Sequence, residues 1–252
     1  MARDLEGRVA IITGSGSGIG QATAWLMAER GASVVVQDID AKGAEMTRRG
    51  LSERGAHAMI HVSDIADVKA DAELVRATEL RFGRIDILVN NAGIGLDRPI
   101  ETIDEEAFDR MIAVHVKGSF FTAQAAVAGM KQRRYGRIIN TSSRWSMAGH
   151  HVASDYIAAK SALLGLTKAW AKELAGHGIT VNAVAPGGVK TAMVRKTLGE
   201  TGIAAEEKLV PVGRWCEPSE IATSVAFLAS DGAAFITGQV ISPNGGKTVV
   251  GF

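Results

Sequence analysis

This chain of 252 residues predicts a single-domain α/β fold: a doubly wound parallel sheet with helices on both faces. Short β-branched runs alternate with amphipathic helical stretches from end to end. The strand candidates are continuously apolar rather than alternating, as strands covered on both faces are. No repeat, low-complexity tract or linker breaks the pattern, so residues 1–252 read as one domain. Right-handed crossovers between parallel strands then wind the helices onto both faces.

Arg8 to Ile12 reads as the first strand, and Gln21 to Arg30 as a helix closed by Gly31. Ser33 to Gln37, with the run Val34-Val35-Val36, is the second strand. Ala56 to Val62, Ile85 to Val89, Arg137 to Thr141, Thr180 to Val184 and Gln239 to Ser242 follow as strands. Helical patterns fill about 41–54, 67–82, 104–130, 154–175 and 218–229. Residues 190–215 depart from the pattern. They are charged and irregular, and read as a mobile substrate flap.

Composition narrows the function. Apolar residues at 46% and charged residues at 22% are ordinary for a soluble globular protein. A formal net charge of +1 gives no reason to expect nucleic acid or an anionic membrane as partner. No apolar run approaches the ~20 residues of a membrane span, and the N-terminus has no signal-peptide pattern. Cys216 is the only cysteine, which excludes an intrachain disulfide or a cysteine-based zinc cluster; it reads as a structural thiol. A reduced, cytoplasmic protein is expected.

The first strand runs into Thr13-Gly14-Ser15-Gly16-Ser17-Gly18-Ile19-Gly20 and then a helix. Glycines there let the backbone turn tightly and approach a pyrophosphate at the positive end of that helix. Asp38, directly after the second strand, is placed to accept from an adenosine ribose hydroxyl and to repel a 2′-phosphate. NAD is therefore the expected cofactor, and NADP is disfavoured; helix capping by Asp38 or Asp40 is a compatible second role.

Tyr156-Ile157-Ala158-Ala159-Lys160 lies thirteen residues beyond Ser143. A phenol is a poor base at neutral pH, with an ordinary pKa of about 10. Lys160, about one helical turn along, projects on the same face as Tyr156, and an ammonium there is expected to lower the phenol. Tyr156 then exchanges a proton with a substrate oxygen.

Together these motifs resemble the short-chain dehydrogenase/reductase family, over nearly the whole chain. Thr13 to Gly20, including Gly14, Ser17, Gly18, Ile19 and Gly20, is similar to its cofactor turn, and Asp64-Ile65 to its adenine-contacting pair. Asn90-Asn91-Ala92-Gly93 is similar to the sequence ending strand four under the cofactor, and Pro186-Gly187 with Val189 and Thr191 to the segment holding the nicotinamide carboxamide. Ser143, Tyr156 and Lys160 stand at the family's catalytic spacing. The resemblance implies a Rossmann-type fold, hydride exchange with a nicotinamide, interconversion of a secondary alcohol and a ketone, and a homotetramer. It gives Ser143 the stabilisation of the reacting oxygen and Lys160 the nicotinamide ribose. Asn90 and Asn182 read instead as buried amides tying strand ends together.

His115 stands where the family usually carries Asn as a fourth catalytic member, whose main-chain carbonyl positions a relay water. A carbonyl survives a side-chain change, and His offers a donor and an acceptor in place of the amide. Retained catalysis is the expectation. Two other readings stay open: His115 titrates within the relay, or the relay is broken and the chain binds NAD without turnover.

By the same analogy Gly95, Ser143, Trp145, His150 or His151, Met193 and Val194 line the substrate pocket. Trp145, if it points inward, is a broad apolar wall for a hydrophobic or aromatic alcohol or ketone; subunit packing is its other reading. Arg144, Arg195 and Lys196 argue for an acidic hydroxy substrate, or are solvated flap charges. A 3-oxoacyl-thioester reductase is a further alternative, though that role usually prefers NADP. His150-His151 has no third ligand at suitable spacing, so no metal is expected.

Overall fold

The computed structural model describes residues 3–95 and 97–249. Seven parallel strands form one sheet in the order β3-β2-β1-β4-β5-β6-β7. They are β1 (Val9–Thr13), β2 (Ser33–Asp38), β3 (Ala58–Val62), β4 (Ile87–Asn90), β5 (Gly136–Thr141), β6 (Ile179–Val184) and β7 (Val240–Ile241). Every residue of β1, β4, β5 and β6 is buried. Alternate residues serve opposite faces, which is why both parities are apolar. Ala10, Ile12, Val34, Val36, Ile87 and Val89 join the core under helices α1 (Gly18–Glu29), α2 (Ala41–Glu53) and α9 (Pro218–Ala229). Ile11, Val35, Leu88 and Ile138 join the opposite core, under α3 (Val68–Phe82), α5 (Gly118–Arg133) and α7 (Ser154–Leu174).

Strand β1 pairs with both β2 and β4, so the winding reverses there. Ligands of open α/β sheets bind beyond the carboxyl ends of the strands at such a reversal.

Two stretches differ from the sequence pattern. The helix expected over 104–130 is three pieces: α4 (Glu105–Ile112), a π-helical turn (Ala113–Lys117) and α5. The Gly118 N–H reaches back five residues to the Ala113 carbonyl. Such bulges inside α-helices are frequent at functional sites. The flap is not irregular: Ala192–Glu207 forms α8, broken by Gly199 at φ 62° and ψ 173°. Thr191 caps its start, accepting from the Val194 N–H, and Ile203, Val210 and Trp215 form a small core beneath it. The glycine break leaves neither half long enough to show a clear period. A short helix α6 (Trp145–Ala148) follows β5. Among the described residues, no helix is long and apolar enough to cross a membrane.

Candidate active site

The turn between β1 and α1 sits at the winding reversal. Gly14 and Gly18 have φ of 62° and 56°, the left-handed region that glycine adopts without strain. A Cβ on Gly14 would lie 2.6 Å from the Ala92 Cα. The Thr13 hydroxyl accepts from the Asn91 and Ala92 N–H groups at 3.0 Å, and the Asn91 amide donates to the Thr13 and Gly14 carbonyls. The end of β4 is thereby clamped against the glycine turn. Helix α1 has no acid in its first turn, and Ser17, at its N-cap, makes no capping hydrogen bond. The positive end of α1 is left without an internal anion, which suits a pyrophosphate.

Asp38 faces this turn. Its Oδ2 accepts from the Gly16 N–H at 2.7 Å and its Oδ1 from the Asp40 N–H at 2.9 Å. A carboxylate has about four acceptor sites, so capacity remains for a ribose hydroxyl. The α2 arginines Arg48 and Arg49 are both paired with Glu45. Thr191 closes on the turn from the other side: a Cβ on Gly18 would meet its Cγ2 at 3.3 Å. The Gly187 N–H donates to the Pro243 carbonyl, and Val189 bridges to Cys216. Asp64 receives two hydrogen bonds from Arg110, at 2.8 and 3.2 Å, which hold its carboxyl below the ordinary range. Neighbouring Ile65 is buried, and its carbonyl would lie 2.5 Å from a Cβ on Gly118. This pair is therefore anchored to α4 and α5.

Ser143 follows β5, while Tyr156 and Lys160 occupy one face of α7. Lys160 is buried and donates from Nζ to the Thr141 carbonyl at 2.6 Å. Burial pushes its ammonium down to about 7. Burial also raises the Tyr156 phenol; the Ser143 hydroxyl opposes this and the Asp97 charge adds to it. The expected lowering of Tyr156 by Lys160 is thus not found. The ammonium lies 5.7 Å from the ring centroid, is held by a strand carbonyl, and is itself partly deprotonated near pH 7.

His115 sits in the middle of the π-helical turn and is 1% exposed. Its Nε2 lies 2.7 Å from the Ile94 carbonyl oxygen and 3.1 Å from the Ile94 nitrogen. With Nε2 donating to that carbonyl, Nδ1 is an acceptor, and it has no partner. The ring meets Tyr156 edge-on at 5.6 Å between centroids. Burial, then the Lys160 charge, pushes the imidazole down to about 3. This argues against His115 as a titrating relay member. A Cβ on Gly93 would lie 2.4 Å from the His115 Cε1, so a side chain at position 93 would collide with the imidazole.

On the substrate side, Trp145 meets Tyr156 edge-on at 5.9 Å and stacks on His150 at 4.0 Å. Gly95 lies against the Tyr156 ring, where a Cβ would make an ordinary contact at 3.7 Å. Met193 is exposed at the start of α8. Val194 packs on the Ile203–Val210–Trp215 cluster, so it anchors the flap instead of lining the pocket. Arg195 is paired with Glu200, and Lys196 is exposed.

Asn90 donates to the Asn140 side chain, and Asn182 donates to the Ile236 carbonyl while accepting from Gln239, as strand ties should. Sequence reasoning placed Thr13 in the cofactor turn but missed the clamp its hydroxyl makes, the Thr141 carbonyl, and a latch in which Arg98 pairs with buried Asp155 at 3.2 Å. Asp155 also accepts from the Tyr156 N–H, so the latch fixes the start of α7 to the loop beyond Gly95. An acid directly before Tyr156 was the one visible signal. Among the described residues, no group of three or more His, Cys, Asp or Glu side chains is placed to hold a metal.

A protein-family model described as Enoyl-(Acyl carrier protein) reductase matches residues 14–248. The chain is 41% identical, over 97% of its length and 99% of the relative's, to the 3-oxoacyl-[acyl-carrier-protein] reductase FabG of Thermotoga maritima. It is also 41% identical to the (2S)-[(R)-hydroxy(phenyl)methyl]succinyl-CoA dehydrogenase subunit BbsD of Thauera aromatica, over 97% of this chain and 98% of that one. The crystal structure of levodione reductase superposes with a TM-score of 0.93 at 34% identity, covering 96% of this chain and 98% of that one. With the glycine turn, clamped strand end and Ser-Tyr-Lys face in this fold, the match over nearly the whole length shows that the chain belongs to the short-chain dehydrogenase/reductase family of oxidoreductases.

Proposed function

We propose that this protein is an NAD-linked dehydrogenase or ketoreductase acting on a secondary alcohol or ketone with a hydrophobic or aromatic group. The observation that carries the reading is the meeting of Ser143, Tyr156 and Trp145 beside the loop that His115 holds. A nicotinamide bound here supplies or accepts the hydride. Gly14 to Gly20 and the start of α1 would hold its pyrophosphate, Asp38 its adenosine ribose, Lys160 its nicotinamide ribose, and the Pro186–Thr191 segment its carboxamide. Asp64, Ile65 and Asn91 to Gly93 complete the floor.

Tyr156 donates its proton to the carbonyl oxygen, or takes one from the alcohol. Its raised pKa keeps the phenol protonated in the unliganded protein, the form that can donate. Ser143 hydrogen-bonds the same oxygen and stabilises charge developing there. Lys160 carries the compensating proton toward the π-helical turn, whose widened backbone and unpartnered His115 Nδ1 can hold a water. Removing the phenol tests this: Tyr156→Phe should lower turnover by about 10²–10⁴-fold while NADH still binds. Turnover within tenfold of native would overturn the assignment.

The relatives' names favour a second reading, reduction of a 3-oxoacyl thioester. Asp38 sets it apart, because its charge selects NAD; a panel of aryl ketones and acetoacetyl thioester with both cofactors separates the two. The half-exposed Phe120, packed with Phe121 and Trp170 across α5 and α7, supports a homotetramer through these helices. A monomeric mass by light scattering would remove that. A cytoplasmic location, where Cys216 stays a thiol, completes the reading.

A further inference from the structure

We infer that Arg144 is the anion anchor of the substrate cleft, and that the substrate carries a carboxylate next to the aromatic or apolar group facing Trp145. This deepens the proposed function and rests on Tyr156 as the residue that meets the substrate oxygen.

Arg144 follows Ser143 directly, and its main-chain N–H is fixed to the Pro186 carbonyl at 3.1 Å. Its guanidinium lies 5.8 Å from the Trp145 ring, and Trp145 in turn meets Tyr156. The side chain is partly buried, and burial lowers its pKa. A partly desolvated guanidinium normally finds a carboxylate. Among the described residues, Arg144 makes neither a side-chain hydrogen bond nor an ion pair.

The neighbouring charges explain why. Glu206 on α8 is the acid whose field reaches Arg144, but it already holds Lys247 at 2.6 Å. Three flap cations have their own partners, Lys190 with Glu207, Arg195 with Glu200 and Arg214 with Glu220, while Lys196 and Lys208 are exposed to solvent. Arg144 and Lys247 stand against Glu206 and Asp97, whose charge reaches Tyr156 and His150, so the cleft is near neutral and Arg144 is its cation without a carboxylate partner among the described residues. His150, stacked on Trp145, is depressed by burial and then by His151, and its buried Nδ1 has no partner either. A guanidinium without a protein partner and a buried ring nitrogen without a hydrogen bond thus flank one aromatic wall, among the described residues. A ligand with a ring and a carboxylate fits this wall, the ring facing Trp145 and the guanidinium taking the carboxylate in a fork.

The test is equilibrium binding of 3-phenylpropionate and of its uncharged amide to the NADH-bound protein, by titration calorimetry. Native protein, Arg144→Gln and Arg144→Lys are compared after thermal melts establish that each is folded. The native protein should bind the acid about tenfold or more tightly than the amide. That preference should vanish in Arg144→Gln and return in part in Arg144→Lys. Equal affinity of acid and amide for the native protein, binding of neither, or a preference that survives in Arg144→Gln overturns the inference. Oxidation of 3-hydroxy-3-phenylpropionate and its methyl ester is followed alongside. Turnover of the ester with no acid preference would sink the anchor and leave the function standing. A preference in binding without turnover of either would do the reverse.

Discussion

In the cofactor half of the site, polar side chains are tied to main chain: Thr13 to Asn91 and Ala92, Asn91 to the glycine turn, Asp38 to Gly16. In the substrate half, among the described residues, the partly buried Arg144 guanidinium has no protein partner, the His150 Nδ1 is buried without a hydrogen bond, and the Tyr156 phenol has only the Ser143 hydroxyl. The first arrangement is complete before a ligand arrives, so it fixes one shape. The second is completed by the ligand, so its unsatisfied groups describe what binds. Geometry should therefore resist substitution in the first half, and ligand preference should follow substitution in the second.

Asp71 offers the largest break in that contrast. It lies in the first turn of α3 and is 1% exposed; the nearby Thr122 hydroxyl, which opposes the rise in its pKa, donates to the Gly118 carbonyl at 2.8 Å and leaves neither carboxylate oxygen with a full hydrogen bond. Burial raises it from 3.8 to about 7. The folded protein therefore binds this proton more tightly than the unfolded chain. The stabilisation is complete below pH 3.8 and is lost as pH rises through about 7. A shift of that size corresponds to on the order of 4 kcal/mol. Asp71→Asn should flatten the difference in urea-denaturation free energy between pH 4 and pH 8 by an amount of that order. Parallel profiles for native and variant would show that Asp71 has a partner in solution.

Asp38 comes next. Hydrogen bonds to a charged carboxylate contribute about 1.5–3 kcal/mol. Asp38→Ala should then move the ratio of NADH to NADPH affinity by about 10–100-fold toward NADPH, measured by fluorescence titration. An unchanged ratio would mean that the cofactor half discriminates through something other than this charge.

How much of this was legible follows from how local each feature is. The glycine turn, Asp38 after Val34-Val35-Val36, and the four-residue step from Tyr156 to Lys160 are short-range patterns, and sequence placed them correctly. The π-helical turn was hidden because its extra residue leaves the apolar pattern of 104–130 nearly undisturbed. The flap helix was hidden by Gly199. Lys160 could not be read as held by Thr141, since a main-chain carbonyl from another strand has no residue signature. That contact, with burial, is also why the phenol is raised and not lowered. The Arg98–Asp155 latch joins positions 57 apart, beyond any local pattern.

His115 joins the two halves, and the effect expected there is the smallest. Its imidazole meets the Ile94 main chain from inside the π-helical turn and touches Tyr156 with its edge. An asparagine amide also offers one donor side and one acceptor side, so His115→Asn should keep kcat/KM within about tenfold of native. Because the ring is neutral above pH about 3, the pH profiles of the two proteins should run parallel between pH 6 and 9. A limb near pH 6–7 present only in the native protein would mean that the ring titrates during turnover. A variant faster by orders of magnitude would mean that the native relay is impaired. His115→Ala separates positioning from chemistry: it frees the Ile94 loop, so KM should rise more than kcat falls, whereas loss of a proton-relay member would lower kcat first.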